Sequence, residues 1–252
     1  MRKTHFQTFE GMSLVWSKSV GKNVSLQSLP LKAITFDDFY TLRYAVEERE
    51  DIIYPILKSL SRQGLDVAHG EFLKQYFGED ELYRKRLKET HRESLLDDII
   101  VSALMVCGHE AEIVGGIVKQ AVDYGFATRK TEWFSDAKRT LLTLRKKGYK
   151  LGLISNTHWR ISESLRKEFK KFFDVITLSY EHGYAKPHQS IFLDTLKKLN
   201  TTANNSLHVG DDPIADIEGA KSVGMRTAFI RRRETKAEAD IEIKQLIELT
   251  TL

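Results

Sequence analysis

Five short apolar runs, each bounded by a turn or a helix signal, constrain the fold of this chain more than any other feature. They cover residues 31–36, 150–154, 175–178, 207–209 and 226–230. Runs of this length and composition are typical of strands buried in a parallel sheet. Amphipathic stretches at 136–147 and 190–199 predict helices between them. The alternation of strand and helix predicts an α/β fold with a Rossmann-like, doubly wound parallel sheet.

Residues 45–131 interrupt this alternation. Helical patterns follow one another at 46–62, 69–77, 80–91 and from 97 onward, with no strand pattern between them. So long a helical stretch exceeds what a crossover between two parallel strands requires. We therefore predict an all-helical cap domain at 45–131, inserted into an α/β core formed by residues 31–44 and 132–252. Residues 1–30 form an N-terminal extension to which the sequence assigns no role.

Composition and charge exclude several classes of site. The single cysteine, Cys107, excludes an intrachain disulfide and a zinc site built on several thiolates. The net charge of +4 does not establish a nucleic-acid site, and the basic run 231–233 is predicted to be a solvated strand end. No apolar run approaches the ~18 residues of a membrane span, and the N-terminus lacks the apolar segment of a secretory signal. We expect a cytoplasmic monomer or homodimer that binds neither nucleic acid nor a membrane.

Four groups of polar residues lie at or near the ends of the predicted strands. In chain order they are Asp37; Ser155 and Asn156; Lys186; and Asp211, Asp212 and Asp216. Taken singly, each has an ordinary interpretation as a helix cap, a turn residue, an exposed lysine or an acidic first turn of a helix. Open α/β sheets, however, bind their ligands at the carboxyl ends of the strands. Asp37, at the end of the first predicted strand, therefore lies where such a site is expected.

The residue types in these groups suit phosphate and metal chemistry. Carboxylates as crowded as those of Asp211, Asp212 and Asp216 are costly unless a cation lies among them. Hard oxygen ligands of this kind favour Mg²⁺. Lys186 is held extended before Pro187, and a fixed ammonium group can neutralise charge on a group in transfer.

The order and spacing of these motifs resemble those of the haloacid dehalogenase superfamily. Its first motif, Asp-x-Asp-x-Thr, reads Asp37-Asp38-Phe39-Tyr40-Thr41 here. Its second motif corresponds to Ser155, its third to Lys186, and its fourth to Gly210, Asp211 and Asp216. The helical insertion between the first and second motifs is similar to the class C1 cap of subfamily I. The resemblance covers residues 31–231.

The resemblance implies a role for each motif residue in the hydrolysis of a small phosphorylated metabolite. Asp37 would attack the substrate and form a covalent aspartyl intermediate, with Ser155 and Lys186 as further catalytic residues. Mg²⁺ would be held by Asp37, by the backbone carbonyl of Phe39 and by Asp211, with Asp212 or Asp216 contributing directly or through water. The phosphate would be bound by Thr41, Ser155, Asn156 and Lys186.

The resemblance breaks at Phe39. The phosphatases of the family carry an aspartate there, which protonates the leaving alkoxide and then activates water. Taking Asp38 as the nucleophile would place Leu42 where the threonine belongs, and Asp38 points to the opposite face of an extended segment. A general acid or base contributes about 10² to 10⁴ in rate. Its loss is expected to slow the hydrolysis of alkyl phosphates most and of acyl or aryl phosphates least.

Three functional hypotheses follow from this departure. The first is a Mg²⁺-dependent phosphohydrolase restricted to good leaving groups, which the complete set of Asp37, Ser155, Lys186, Asp211 and Asp216 favours. The second is a catalytically silent binding or regulatory protein that keeps the pocket. The third is a 2-haloacid dehalogenase. That branch resembles this chain in carrying an aromatic residue at position 39, but it works without metal and lacks the acidic cluster.

Overall fold

The computed structural model describes residues 30–46, 53–68, 70–76, 96–128, 130–157, 159–232 and 234–252. Its centre is a six-stranded parallel sheet. The strands are β1 (Ala33–Phe36), β4 (Lys150–Ser155), β5 (Val175–Leu178), β6 (Ser206–Gly210), β7 (Arg226–Ile230) and β8 (Ile241–Ile243). Their order across the sheet is β5-β4-β1-β6-β7-β8. All five predicted strands are present, which confirms the predicted α/β class. The short edge strand β8 was not predicted.

Strand β1 occupies the middle of the sheet. Every one of its four residues is buried, as expected of a strand covered on both faces. Its Phe36 is the register partner of Leu153 on β4 and of Val209 on β6. The carboxyl ends of these three strands therefore lie side by side, at the point where the chain turns from one half of the sheet to the other.

Helices cover both faces of the sheet. They are α5 (Ala137–Lys146), α6 (Trp159–Phe169), α7 (Ser179–His182), α8 (Gln189–Lys198) and α9 (Gly219–Ser222). A π-helical segment, Pro213–Glu218, directly precedes α9. The helices predicted at 136–147 and 190–199 are confirmed within a residue at each end. Leu141 and Phe169 pack in the apolar core on one face, and Phe192 and Ala220 pack in the core on the other.

The predicted insertion contains helices with an apolar core of their own. They are α1 (Ile53–Arg62), α2 (residues 70–76), α3 (Leu96–Val106) and α4 (Ala111–Thr128). Ile56, Leu60, Phe72, Leu104 and Val122 are buried in this core, which is separate from those of the sheet. The helix predicted at 80–91 and residues 1–29 of the N-terminal extension lie outside the described residues. The domain boundaries remain a prediction.

A two-stranded antiparallel ribbon, whose strands lie before and after the insertion in the sequence, joins the insertion to the sheet domain. Its strands are β2 (Arg43–Ala45) and β3 (Thr131–Trp133), with Arg43 opposite Trp133 and Ala45 opposite Thr131. The prediction that 45–131 is helical throughout is therefore wrong at its two ends, because Ala45 and Thr131 belong to strands. Each of these strands has only three residues and includes a charged one, Arg43 or Glu132, so neither forms an apolar run in the sequence.

The basic run after β7 is only partly solvated. Arg231 is exposed, as predicted, and pairs with Glu242 at 3.1 Å; Arg233 lies outside the described residues. The Arg232 guanidinium instead lies 3.7 Å from the centroid of the Phe134 ring and donates to Asp136 at 3.3 Å, so the prediction is wrong there. Across the described residues, no helix combines the length and the apolar character needed to span a bilayer.

Candidate active site

The predicted motif residues meet at the carboxyl edge of the sheet. Asp37 directly follows β1, Ser155 ends β4 and Asp211 directly follows β6. Asp216 reaches the same place from the helical segment after β6. Carboxylate oxygens of Asp37, Asp211 and Asp216 lie within 4.8 Å of one another. The sheet topology therefore creates an acidic cluster that could hold a metal ion.

Lys186 is buried among these carboxylates. Its Nζ donates to Asp37 Oδ1 at 2.5 Å and to Asp216 Oδ1 at 2.6 Å, and only 2% of its side chain is exposed. Burial acts to lower the pKa of Lys186, but the charges of Asp216 and Asp37 outweigh it and hold the pKa above its usual range. Lys186 is therefore an ammonium ion that bridges two of the three carboxylates.

The two carboxylates that contact Lys186 differ in their electrostatics. Burial raises the pKa of Asp37 well above its ordinary value, and the charges of Asp216 and Asp211 add to this against the opposing effect of Lys186. Burial also acts to raise the pKa of Asp216, but Lys186 and His208 hold it below its usual range. Asp216 is thus the carboxylate that neutralises Lys186. A further cation near Asp37 would favour its ionised form.

Gly210 gives Asp216 the space that its carboxylate occupies. A Cβ at position 210 would lie 2.2 Å from the Cγ of Asp216, far inside van der Waals contact. From this position the Oδ2 of Asp216 accepts a hydrogen bond from the backbone N–H of Asp212 at 3.0 Å. The glycine of the fourth motif is therefore required by the close approach of a side chain.

Asn156 holds the backbone of Lys186. Its Nδ2 donates to the Lys186 carbonyl at 3.0 Å, and its Oδ1 accepts from the Lys186 N–H at 2.8 Å. This anchoring contact was not predicted, and the proposed phosphate contact of Asn156 remains a prediction. Ser155 is 3% exposed at the end of β4. The Thr41 hydroxyl donates to Asp211 Oδ1 at 3.5 Å, which ties it to the acidic cluster.

Asp212 caps the helical segment that follows it. Its Oδ1 accepts hydrogen bonds at 2.8 Å from the backbone N–H groups of Ile214 and Ala215. An Asp immediately before a proline at the start of a helix is a recognised capping signal, and it was present in the sequence. Asp212 is not among the residues whose carboxylates converge, and its predicted role as a metal ligand is untested.

Asp38 forms a buried ion pair and is not one of the three clustered carboxylates. The Arg43 side chain donates through Nε to Asp38 Oδ1 at 2.8 Å and through Nη2 to Oδ2 at 2.5 Å. Arg43 Nη1 also donates to Glu168 Oε2 at 2.8 Å. Both oxygens of Asp38 therefore accept hydrogen bonds from Arg43, as in a bidentate ion pair. Sequence reasoning missed Arg43 and Glu168, since residues 125 positions apart leave no local signal.

Comparison with known proteins identifies the family. The model of the haloacid dehalogenase-like hydrolases matches residues 34–224, which include all four motifs. This chain belongs to that family. It is 28% identical over 211 residues to a glyceraldehyde 3-phosphate phosphatase of Methanopyrus kandleri, covering 80% of this chain and 84% of the relative. A protein of the same name from Pyrococcus furiosus is 39% identical over 111 residues, or 43% of this chain and 46% of the relative. The chain spans about half the length of the first three curated relatives that it matches, namely 46%, 41% and 54%.

Other members of the haloacid dehalogenase-like family agree in fold. A 2-haloacid dehalogenase of Pseudomonas syringae superimposes with a TM-score of 0.67 at 23% identity, over 88% of this chain and 97% of its own. A phosphatase of the family from Thermococcus onnurineus gives 0.61 at 26% identity over the same shares. These likenesses confirm the Rossmann-like sheet.

Proposed function

We propose that this member of the family is a Mg²⁺-dependent phosphohydrolase that acts on a small phosphorylated metabolite through an aspartyl-phosphate intermediate at Asp37. The observation that carries the proposal is the Lys186 ammonium, buried between Asp37 and Asp216, whose carboxylates cluster with that of Asp211. A lysine in this position can offset the charge of a nucleophilic carboxylate and of an incoming phosphoryl group. The relatives named as phosphatases of glyceraldehyde 3-phosphate and of ribulose 1,5-bisphosphate support it.

The acidic cluster fits a hard divalent cation. Three carboxylates converge within 4.8 Å against a single lysine, which leaves negative charge for a cation to balance. In this proposal Asp37, Asp211 and the backbone carbonyl of Phe39 hold Mg²⁺, with Asp212 or Asp216 contributing directly or through water. Bound there, the ion would offset the charge of the carboxylates and of the phosphate.

In this proposal the reaction proceeds by two successive displacements at phosphorus. A carboxylate oxygen of Asp37 bonds to phosphorus while the bond from phosphorus to the leaving oxygen breaks, and the leaving group departs with the electron pair. Lys186, Ser155, Thr41 and Asn156 bind the phosphoryl oxygens in this proposal. A water molecule then bonds to phosphorus, the bond to Asp37 breaks, and a proton is lost to solvent as inorganic phosphate leaves.

Phe39 determines which substrates can react by this route. Its half-buried ring offers no proton, and it lies edge-on to the ring of Tyr40 at 4.5 Å between centroids. Because Asp38 is bound on both oxygens by Arg43, the leaving oxygen has to depart as an anion. We therefore propose that acyl and aryl phosphates, whose leaving groups are stable anions, are hydrolysed faster than alkyl phosphates.

A catalytically silent binding protein is the second candidate, and the observation that favours it is the same Phe39. The dehalogenase hypothesis is weaker. The cluster of Asp37, Asp211 and Asp216 sets this chain apart from that branch, and the likeness to a 2-haloacid dehalogenase at 23% identity concerns the fold alone.

The test is turnover of acetyl phosphate, p-nitrophenyl phosphate and an alkyl phosphate, each with Mg²⁺ and with EDTA. Wild-type protein is expected to hydrolyse the first two only with Mg²⁺, and acid quenching is expected to trap phosphate on Asp37. Asp37→Asn should abolish turnover, while Phe39→Asp should extend it to the alkyl phosphate. Silence of the wild type combined with activity of Phe39→Asp would show an intact but inactive site and would favour the binding protein over the phosphohydrolase. Silence of every variant would reject the phosphatase, and halide release would then be assayed.

A further inference from the structure

His208 is a fully buried polar residue that the mechanism above does not use. It lies on β6, with its ring edge-on to Phe192 at 5.2 Å between centroids. Its register partner on the neighbouring strand β1 is Thr35. Since both strands continue into the acidic cluster, the ring lies directly beneath the candidate active site.

Both ring nitrogens of His208 have polar partners. Nδ1 lies 2.8 Å from the Thr35 hydroxyl, and Nε2 lies 3.3 Å from Oδ1 of Asp216. The ionised carboxylate of Asp216 can only accept a hydrogen bond, so Nε2 carries the proton. With Nε2 protonated, a neutral ring has Nδ1 as the acceptor that faces the Thr35 hydroxyl, whose oxygen also lies 3.4 Å from the Leu207 carbonyl. The ring is thereby fixed at both ends.

The bond to His208 constrains Asp216 on the side away from the substrate. Asp216 Oδ1 is shared between His208 and Lys186, and Oδ2 is bound by the Asp212 N–H. The position of Oδ1 sets where the Lys186 ammonium lies, and that ammonium is 2.5 Å from Asp37. An unbroken series of contacts thus leads from Thr35 through His208 to the nucleophile.

We propose that His208 is a positioning residue: its Nε2–H holds the carboxylate of Asp216 in the orientation that keeps Lys186 against Asp37. The inference rests on the proposed function, because it assigns Lys186 and Asp37 their parts in turnover. His208 itself touches neither the substrate nor the phosphoryl group. Its contribution is expected in kcat, since the interactions it organises act on the reacting phosphoryl group.

The first experiment reads the protonation of the ring directly. Two-bond ¹H–¹⁵N correlation spectra of the metal-free wild type are expected to show His208 protonated on Nε2 alone. The buried ammonium protons of Lys186 are expected to exchange slowly enough to be seen, and to be lost in His208→Phe. A wild-type ring protonated on Nδ1 alone would overturn the inference. So would Lys186 signals that persist unchanged in His208→Phe.

The second experiment compares three replacements of His208 by their kinetics. Glutamine can present an amide N–H where Nε2 lies, asparagine reaches only as far as Nδ1, and phenylalanine fills the space without a donor. We expect kcat to fall about ten- to a hundredfold in His208→Asn and His208→Phe, with KM changed less than about threefold. His208→Gln should recover most of this loss.

Packing alone predicts a different result. If His208 only fills space against Phe192, His208→Phe should keep the wild-type kcat per folded molecule, and glutamine should offer no rescue over asparagine. Either outcome would overturn the inference. If wild-type protein turns over neither acetyl nor p-nitrophenyl phosphate, the proposed function fails. The ring and ammonium spectra still decide whether Nε2 of His208 is protonated and whether His208 holds Lys186 in place through Asp216.

Discussion

Replacing Gly210 by alanine tests the close approach of Asp216 most directly. The new Cβ would lie 2.2 Å from Asp216 Cγ and 2.4 Å from its Cβ. Reaching ordinary contact requires a relative shift of about 1.2 Å. A shift of that size takes Asp216 out of hydrogen-bond range of Lys186 or of the Asp212 N–H, which now lie at 2.6 and 3.0 Å.

The expected cost of Gly210→Ala follows from these two effects. Overpacking a well-packed site costs about 1–3 kcal/mol, and separating a buried charge from its partner costs about 3–5 kcal/mol. Because a shift of Asp216 relieves the overpacking only by separating its charge from Lys186, we expect a loss of about 3–5 kcal/mol in the free energy of unfolding. That is a large share of the ~5–15 kcal/mol typical of a folded protein.

The assay is urea unfolding followed by circular dichroism, with two comparisons. Gly116→Ala is the matched control, because Gly116 lies exposed in α4 and the methyl group of an alanine there would meet nothing within 4 Å. It should gain about 0.5–1 kcal/mol. Gly210→Ala should also cost much less in an Asp216→Gly background. A cost below about 1 kcal/mol, or an equal cost in both backgrounds, would refute the reasoning.

Two further predictions concern the charges around the site. Asp211→Asn removes one of the carboxylates that crowd Asp37, so it should raise the melting temperature of the metal-free protein. It should also abolish the stabilisation by Mg²⁺, which amounts to about 2.7 kcal/mol at a hundred times Kd; an unchanged Mg²⁺ shift by calorimetry would contradict this. Arg43→Met leaves Asp38 buried without its partner and should cost about 3–5 kcal/mol in urea unfolding. Arg43→Met combined with Asp38→Leu should lose less than half of that, and an equal loss would argue against the pair.

The sheet and the acidic cluster could be predicted from sequence for one physical reason. Strands buried on both faces are rich in apolar residues and poor in charged ones, so β1, β4 and β6 can be recognised, and the carboxyl ends of parallel strands lie at one edge of the sheet. Asp37 and Asp211 therefore had to meet. Strands β2, β3 and β8 were missed because each has only three residues and includes a charged one, Arg43, Glu132 or Glu242, so none forms an apolar run.

What the sequence could not supply was the partner of each polar side chain. The Asp38 carboxylate, Arg43 and Glu168 form one ion-pair group, but nothing in their neighbourhoods signals it. His208 looks like any strand residue until Asp216 is placed beside it. Such contacts depend on how turns and side chains are oriented in the folded chain, even between residues five or eight positions apart, whereas apolar periodicity can be read locally along the sequence.

The antiparallel ribbon of β2 and β3, from which the helical insertion extends, has a consequence for how this protein could be re-engineered. The insertion leaves the sheet domain at Ala45 and returns at Thr131, and these two residues are register partners, about 5 Å apart between Cα atoms. A segment whose two ends lie this close together could be replaced by another without moving strands β2 and β3. The helical insertion could therefore be exchanged as a unit while the sheet and the acidic cluster at its carboxyl edge stay in place.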